Sequence, residues 1–188
     1  KDIQKSSLIV ANNSIITVVN NAAKGSIYGG EAELTWQPTP EFTLNATGAW
    51  THTKYSRFVE ANGNDRSAEP FPVPEWQYSV SGKYAVPVGN GDLSLFAAWR
   101  WQDDVAFRGT ALNRASTSQK AFGLLEGRIA YSLDSEAGLE VALFGKNLLD
   151  RIYRTNALDF DGSLGYNLVF LGEPRTFGIE VRVAFGGK

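Results

Sequence analysis

Phe42-Thr43-Leu44-Asn45-Ala46-Thr47-Gly48-Ala49-Trp50 reads as a β-strand with two unlike faces. One face alternates with the other at the two-residue period of a pleated strand. The even face runs Phe42, Leu44, Ala46, Gly48, Trp50, with aromatic bulk at its ends and small side chains in its middle. A soluble core, packed to a density of about 0.75, wants its largest side chains at the centre. A face turned to acyl chains has no such need, since lipid fills the gaps, and it favours aromatic rings at both interfaces. The stretch therefore predicts a strand that crosses a membrane.

Working outward, the pattern recurs along the chain. Residues 26–37 present Tyr28, Gly30, Ala32, Leu34 and Trp36, and residues 75–86 present Trp76, Tyr78, Val80, Gly82 and Tyr84. In three further strands the uncharged face is odd: Leu93, Leu95, Ala97, Trp99, Trp101; Leu125, Gly127, Ile129, Tyr131; and Leu139, Val141, Leu143, Gly145. The last strand shows Phe177, Ile179, Val181, Val183 and Phe185. With a first strand near residues 1–10, the chain holds about eight. No charge falls on the seven faces. The opposite faces carry five acidic residues (Glu31, Glu33, Glu126, Glu140, Glu180) and five basic ones (Lys83, Arg100, Arg128, Lys146, Arg182). Connections near 38–41, 87–92 and 132–138 are short, and those near 11–24, 59–74, 108–120 and 154–174 are long and polar. Short turns alternating with long loops are the habit of outer-membrane barrels, with the short turns periplasmic. The predicted fold class is all-β, an antiparallel transmembrane β-barrel segment.

Composition sets the outer limits. Hydrophobic residues make up 43% and charged residues 20% of 188, and no apolar run is long enough for a membrane helix. Barrel strands average to neutral hydropathy, so this excludes helices alone. There is no cysteine, hence no disulfide framework and no thiolate metal site. A net charge of −2 leaves no footprint for nucleic acid. The only histidine, His52, has no nearby orienting carboxylate in sequence and reads as an interfacial residue beside Trp50. Asp159-Phe160-Asp161-Gly162 shares only part of a calcium loop and lacks the distal glutamate. No catalytic residue, metal site or cofactor is expected, and the chain is not read as an enzyme. Its first residues do not resemble a signal peptide, since the apolar run at 8–11 is too short.

Three stretches carry a family likeness. Phe144-Gly145-Lys146-Asn147-Leu148-Leu149-Asp150-Arg151-Ile152-Tyr153 resembles the penultimate strand of TonB-dependent receptors. Gly172-Glu173-Pro174-Arg175-Thr176-Phe177-Gly178, leading into an alternating strand that ends in Phe185, is similar to their last strand. Gly30-Glu31-Ala32-Glu33-Leu34-Thr35-Trp36-Gln37-Pro38 matches a recurrent strand of the family and its turn proline. The resemblance implies that residues 1–188 are the C-terminal part of a 22-strand barrel around an N-terminal plug. It implies a bacterial outer-membrane receptor that takes up a scarce nutrient, most often an iron–siderophore complex, with energy delivered through TonB. The sequence departs from the family in carrying no plug and no TonB-contacting segment, and in adding Gly186-Gly187-Lys188 after Phe185. By itself such a piece is not an energised transporter.

The expected partners follow: outer-membrane lipid, the plug and remaining strands of the same receptor, TonB through its N-terminal region, the barrel-assembly machinery, and the small ligand. Glu31, Glu33, Arg100, Glu126, Arg128, Glu180 and Arg182 are expected to form a plug-facing wall, since a pore selective for one ion sign would show rings of one sign. Arg108, Asn113, Arg114, Arg154, Tyr166 and Asn167 in the outer loops suit an anionic or aromatic chelate. Phe177, Ile179, Val181, Val183 and Phe185 are expected to serve as the assembly signal. The alternative is a self-closed eight-strand membrane barrel with a structural or binding role and a filled interior.

Overall fold

In the computed structural model the alternation becomes one antiparallel sheet. Residues 2–11, 14–59, 63–107, 115–134 and 138–184 are described, with side chains from Ala23 onward except at 162 and 163. Arg108, Asn113, Arg114 and Phe185 lie outside the described residues. The strands are β1 (Asp2–Ala11), β2 (Ser14–Thr39), β3 (Phe42–Phe58), β4 (Trp76–Val88), β5 (Gly91–Gln102), β6 (Val105–Ala106), β7 (Ser118–Gln119), β8 (Phe122–Leu133), β9 (Leu139–Lys146), β10 (Arg154–Asp159), β11 (Asn167–Leu171) and β12 (Thr176–Val183). A four-residue helix, α1 (Asp161–Leu164), joins β10 to β11. Eight strands form the main sheet in the order β1-β2-β3-β4-β5-β8-β9-β12, while β6–β7 and β10–β11 are separate two-stranded ladders. The sheet is open, with β1 at one edge and β12 at the other.

Register fixes the faces, because residues opposite one another in an antiparallel ladder point the same way. One row reads Leu34, Ala46, Val80, Trp99, Leu125 across five strands. Another reads Phe42, Tyr84, Leu95, Ile129, Leu143, Ile179 across six. Every member belongs to a predicted uncharged face. These side chains stand in the open on a single chain: Leu34 is 55% exposed and Ile179 70%. An exposed apolar surface of this extent marks a contact with lipid or protein.

The aromatic ends form bands. Tyr28 packs edge-on against Trp50 at 5.8 Å, Trp50 lies 6.1 Å from Trp76, and Tyr78 stacks on Trp101 at 5.2 Å. His52 sits in this band, 5.0 Å from the Tyr28 ring. At the other end Tyr131 donates its hydroxyl to the Val88 carbonyl at 2.8 Å, beside the short turns.

Those turns are as short as the sequence suggests. Thr39 pairs with Phe42 around Pro40-Glu41, and Val88 pairs with Gly91 around Gly89-Asn90. Gly89 has φ +63°, the conformation that a two-residue hairpin needs at its first central position and that glycine adopts without a side-chain clash.

Two expected loops are strand instead. Residues 11–24 are not a loop: β1 folds back on the first part of β2, from Asp2 opposite Lys24 to Ala11 opposite Ser14. The run Ile15-Ile16-Thr17-Val18-Val19 is all β-branched, and such residues favour the extended chain. As a result β1 covers only the distal part of β2. The membrane-level part of β2 beyond Lys24 has no second neighbour among the described residues. Residues 154–174 likewise hold the β10–β11 hairpin, whose turn is tied by the Asp161 N–H donating to Asp159 Oδ1 at 3.1 Å. That contact accounts for the calcium-like spacing as a turn.

β2 and β3 also run well past the roughly 9–11 residues that a tilted span needs. Their extension carries a small core of Ala23, Tyr55, Phe58 and Phe71. Tyr55 stacks on Phe71 at 3.9 Å. Burial there pushes the Tyr55 hydroxyl pKa up.

Candidate functional site

The other face of the sheet carries the charges, and the sheet curls around it. Glu31 and Glu33 of β2, Arg100 of β5, Glu126 of β8 and Lys146 of β9 all line one trough of about 700 Å³. Strand alternation and register place them there, Glu31 and Glu33 two residues apart on β2 and the others on the same face of their own strands.

Six of the wall's ten charges are paired with one another. Arg100 donates to Glu126 at 2.8 Å. Arg128 donates to Glu140 at 2.7 Å and reaches Glu180 at 3.5 Å. Arg182 donates to Glu180 at 2.9 Å and lies 3.7 Å from Glu140. Ser132 adds its hydroxyl to Glu140 at 3.0 Å. Two arginines and two glutamates across β8, β9 and β12 thus satisfy one another, with Phe96 and Phe144 beside them. Gly178 leaves room for the Phe144 ring: a Cβ there would meet ring atoms at 3.0 Å. The rest of the wall is different. Glu31, Glu33, Lys83 and Lys146 have no ion-pair partner among the described residues. Thr35 donates to Asn45 at 2.9 Å, and Thr47 and Ser79 share a hydrogen bond of 2.8 Å. The side chains Glu31, Glu33, Arg100, Glu126, Arg128, Glu180 and Arg182 therefore share one face, some spent on each other and some not.

At the mouth, toward the long loops, the sequence stretch 144–153 turns out to be a strand end and a turn rather than continuous strand. β9 stops at Lys146 because Asn147 takes φ +49° and Asp150 φ +54°. Asn147 is 5% exposed. Its side-chain amide donates to the Arg151 carbonyl at 2.9 Å and the Glu173 carbonyl at 3.1 Å, while its Oδ1 accepts the Arg151 N–H at 2.9 Å. Asparagine tolerates the left-handed conformation and supplies both donor and acceptor. Arg175 pairs with Asp150 at 3.2 Å, so both family-like stretches meet at this turn.

Of the loop candidates, Arg154 donates to the carbonyls of Ala115 at 3.0 Å and Ser118 at 2.8 Å. Asn167 donates to Ser116 at 2.8 Å and accepts the Phe160 N–H at 3.2 Å. Both act as struts between loops. Tyr166 stands exposed near Phe160, their rings 5.9 Å apart. The sequence reading missed Phe122 and Tyr153, which stack at 4.7 Å and both line the trough. Phe122 shares parity with Glu126 and was legible on that ground. Tyr153 lies beyond the strand, where parity says nothing. Among the described residues no three His, Asp or Glu side chains converge as metal ligands.

The sequence profile of the "TonB dependent receptor-like, beta-barrel" family matches residues 2–148. The chain belongs to this family. Comparison with curated protein sequences yields no match. Among solved structures, this TonB-dependent receptor segment is similar to the ferric yersiniabactin uptake receptor FyuA of Yersinia pestis. The identity is 21% and the TM-score 0.73, over 90% of this chain and 25% of that one. It is similar to BauA, the ferric preacinetobactin receptor of Acinetobacter baumannii, at 18% identity and a TM-score of 0.62, over 95% of this chain and 25% of that one. It is also similar to the copper transporter OprC at 18% identity and a TM-score of 0.65, over 96% and 27%. At these identities the likeness is one of fold. The chain spans about a quarter of the length of the solved proteins it matches. In those terms the sheet is an unclosed barrel segment, its uncharged face outward and its charged face inward.

Proposed function

We propose that this segment is the last third of an outer-membrane receptor barrel for TonB-dependent uptake of an iron–siderophore complex, with the plug and the TonB-contacting segment supplied by the rest of the receptor. The observation that carries the reading is the contrast between the two faces: a girdled apolar exterior and a polar inner wall with six of its ten charges paired and four left over. Glu31, Glu33, Lys83 and Lys146 are the groups left for a plug to satisfy, since covering an unpaired charge costs more than covering a paired one. Phe122 and Tyr153 at the trough's mouth, with Tyr166 and the loop residues Arg108, Asn113 and Arg114, offer rings and cations to an anionic, aromatic chelate. Two relatives of this fold are named for ferric chelates and one for copper, so the loops, not the barrel, set the cargo.

The test is uptake of radiolabelled iron, presented as a panel of catecholate, hydroxamate and phenolate ferric siderophores, by cells with and without the full-length receptor. Receptor- and TonB-dependent uptake of at least one ferric complex is expected. Uptake of labelled copper but of no ferric complex would overturn the iron reading, and no receptor-dependent uptake of either would overturn transport of these metals.

A further inference from the structure

Gly172 has no conformational reason to be glycine. Among the described residues the glycines with positive φ are Gly63, Gly89, Gly138 and Gly165, so the backbone at 172 suits any residue. Space is the reason: a Cβ at 172 would run into the ring and hydroxyl of Tyr153. Its absence lets the two segments close, and the Gly172 N–H donates to the Tyr153 carbonyl at 2.9 Å. The ring so admitted stacks on Phe122 at 4.7 Å, and both rings line the trough.

The chain on either side of this stack is pinned. Asn147 donates to the carbonyls of Arg151 and Glu173, the one just before Tyr153 and the other just after Gly172. The Arg154 N–H donates to Gln119 Oε1 at 2.7 Å, which ties the residue after Tyr153 to the approach to Phe122. Both long loops therefore converge on the two rings. Gly123 makes a contrast: it leaves the same kind of room for the Trp99 ring, but on the outward face, where a ring meets only acyl chains. Tyr153 and Phe122 stand instead on a polar wall, half-buried, with Gln77, Gln102 and Glu173 lining the same space. A ring held still there gives water nothing, whereas a ligand ring gains a stacking partner that loses no freedom on binding.

We infer that Gly172 is a positioning residue for the cargo: its missing side chain sets the Tyr153–Phe122 stack as a fixed platform for an aromatic ring of the chelate. The inference deepens the uptake reading above and rests on it. It commits the cargo to an iron chelate that carries rings, a catecholate or a phenolate, and not to an aliphatic one.

The experiment measures equilibrium binding of radiolabelled iron complexes to the purified full-length receptor in detergent. The probes are two anionic complexes, a ferric tris-catecholate, which has rings, and ferric dicitrate, which has none. The wild type should bind the catecholate. Gly172→Ala and Tyr153→Leu should each weaken that binding about 3- to 10-fold, the worth of one aromatic contact. The double variant should bind no more weakly than Tyr153→Leu alone, because without the ring the added methyl meets nothing. Binding of dicitrate should be the same in all four proteins. Losses that multiply in the double variant, or an equal loss of dicitrate binding, would show a merely structural glycine and overturn the inference. So would wild-type affinity for the catecholate in Gly172→Ala. If Gly172→Ala yields no heat-modifiable barrel, Phe122→Leu decides, and unchanged catecholate binding in it overturns the platform. Failure of the wild type to bind the catecholate overturns the inference too. Receptor-dependent uptake of a ring-free ferric complex would then leave the iron reading standing, so the two failures are distinguishable.

Discussion

Leu95 and Thr35 show what strand parity means at the level of one side chain. Leu95 lies on the outward row between Tyr84 and Ile129, near the middle of β5, whereas Thr35 faces inward and donates to Asn45. In the full-length barrel folded into lipid, Leu95→Arg should cost about 2–4 kcal/mol, because it sets a charge near the bilayer midplane. Thr35→Arg should cost much less. Folding titrations with equal penalties, or the reverse order, would refute the assignment of faces. Asn147 makes a different prediction. Asn147→Ala removes three hydrogen bonds and strains a left-handed backbone, so a loss of about 1–3 kcal/mol is expected. Asn147→Gly relieves the strain but restores no bond, and it should fall between wild type and alanine in thermal unfolding. Outside the membrane, Asp65 holds the N–H and hydroxyl of Ser67 at 2.9 and 2.6 Å, and Ser67 in turn accepts the Phe58 N–H at 2.8 Å. These bonds hold the Asp65 carboxyl below the usual carboxylate range. A depressed folded pKa means the turn's stabilisation is fully present above the unfolded value of about 3.9 and is lost as pH falls through the folded value. Protease nicking at 59–75 should therefore rise on acidification below about pH 4. Asp65→Asn should nick readily at every pH, and a wild-type profile in that variant would sink the argument.

Among the elements, β12 carries the most exposed apolar face and has one neighbour, β9. Phe177, Ile179, Val181 and Val183 oppose Gly145, Leu143, Val141 and Leu139 in unbroken register. An edge this regular is a template for another strand. Within a receptor it should pair with the first strand of the barrel and present the signal that the assembly machinery reads. Deleting 185–188 should reduce insertion in cells far more than deleting 186–188, measured as heat-modifiable receptor in the outer membrane. Equal insertion of both truncations would leave Phe185 without that role. The element least legible in the sequence was the β1–β2 hairpin. Its backbone pairs above the membrane, where no lipid imposes an apolar face and parity loses its meaning. The 144–153 stretch misled for a related reason: its motif encodes a strand end, and the positive φ of Asn147 and Asp150 shows only in three dimensions.

For the whole molecule the open edges dominate. β1 covers only the distal part of β2, so the membrane-level edge of β2 is as bare as that of β12. Each unpaired backbone group in hydrocarbon costs several kcal/mol. Refolded alone into detergent micelles, residues 1–188 are expected to aggregate or stay protease-sensitive. A single compact, heat-modifiable monomer would contradict this and favour the self-closed barrel. Sequence alone determined the seven strands that cross at membrane level, the parity of each face and the site of the short turns, because alternation and turn chemistry are local properties of the chain. It also determined which charges share the inner wall. Tertiary structure decided which of those charges are spent on one another. It made struts of Arg154 and Asn167, and it brought Phe122 and Tyr153 to the mouth of the trough. These outcomes depend on curvature and on which loop lies over which, and both arise from contacts between residues far apart in the chain.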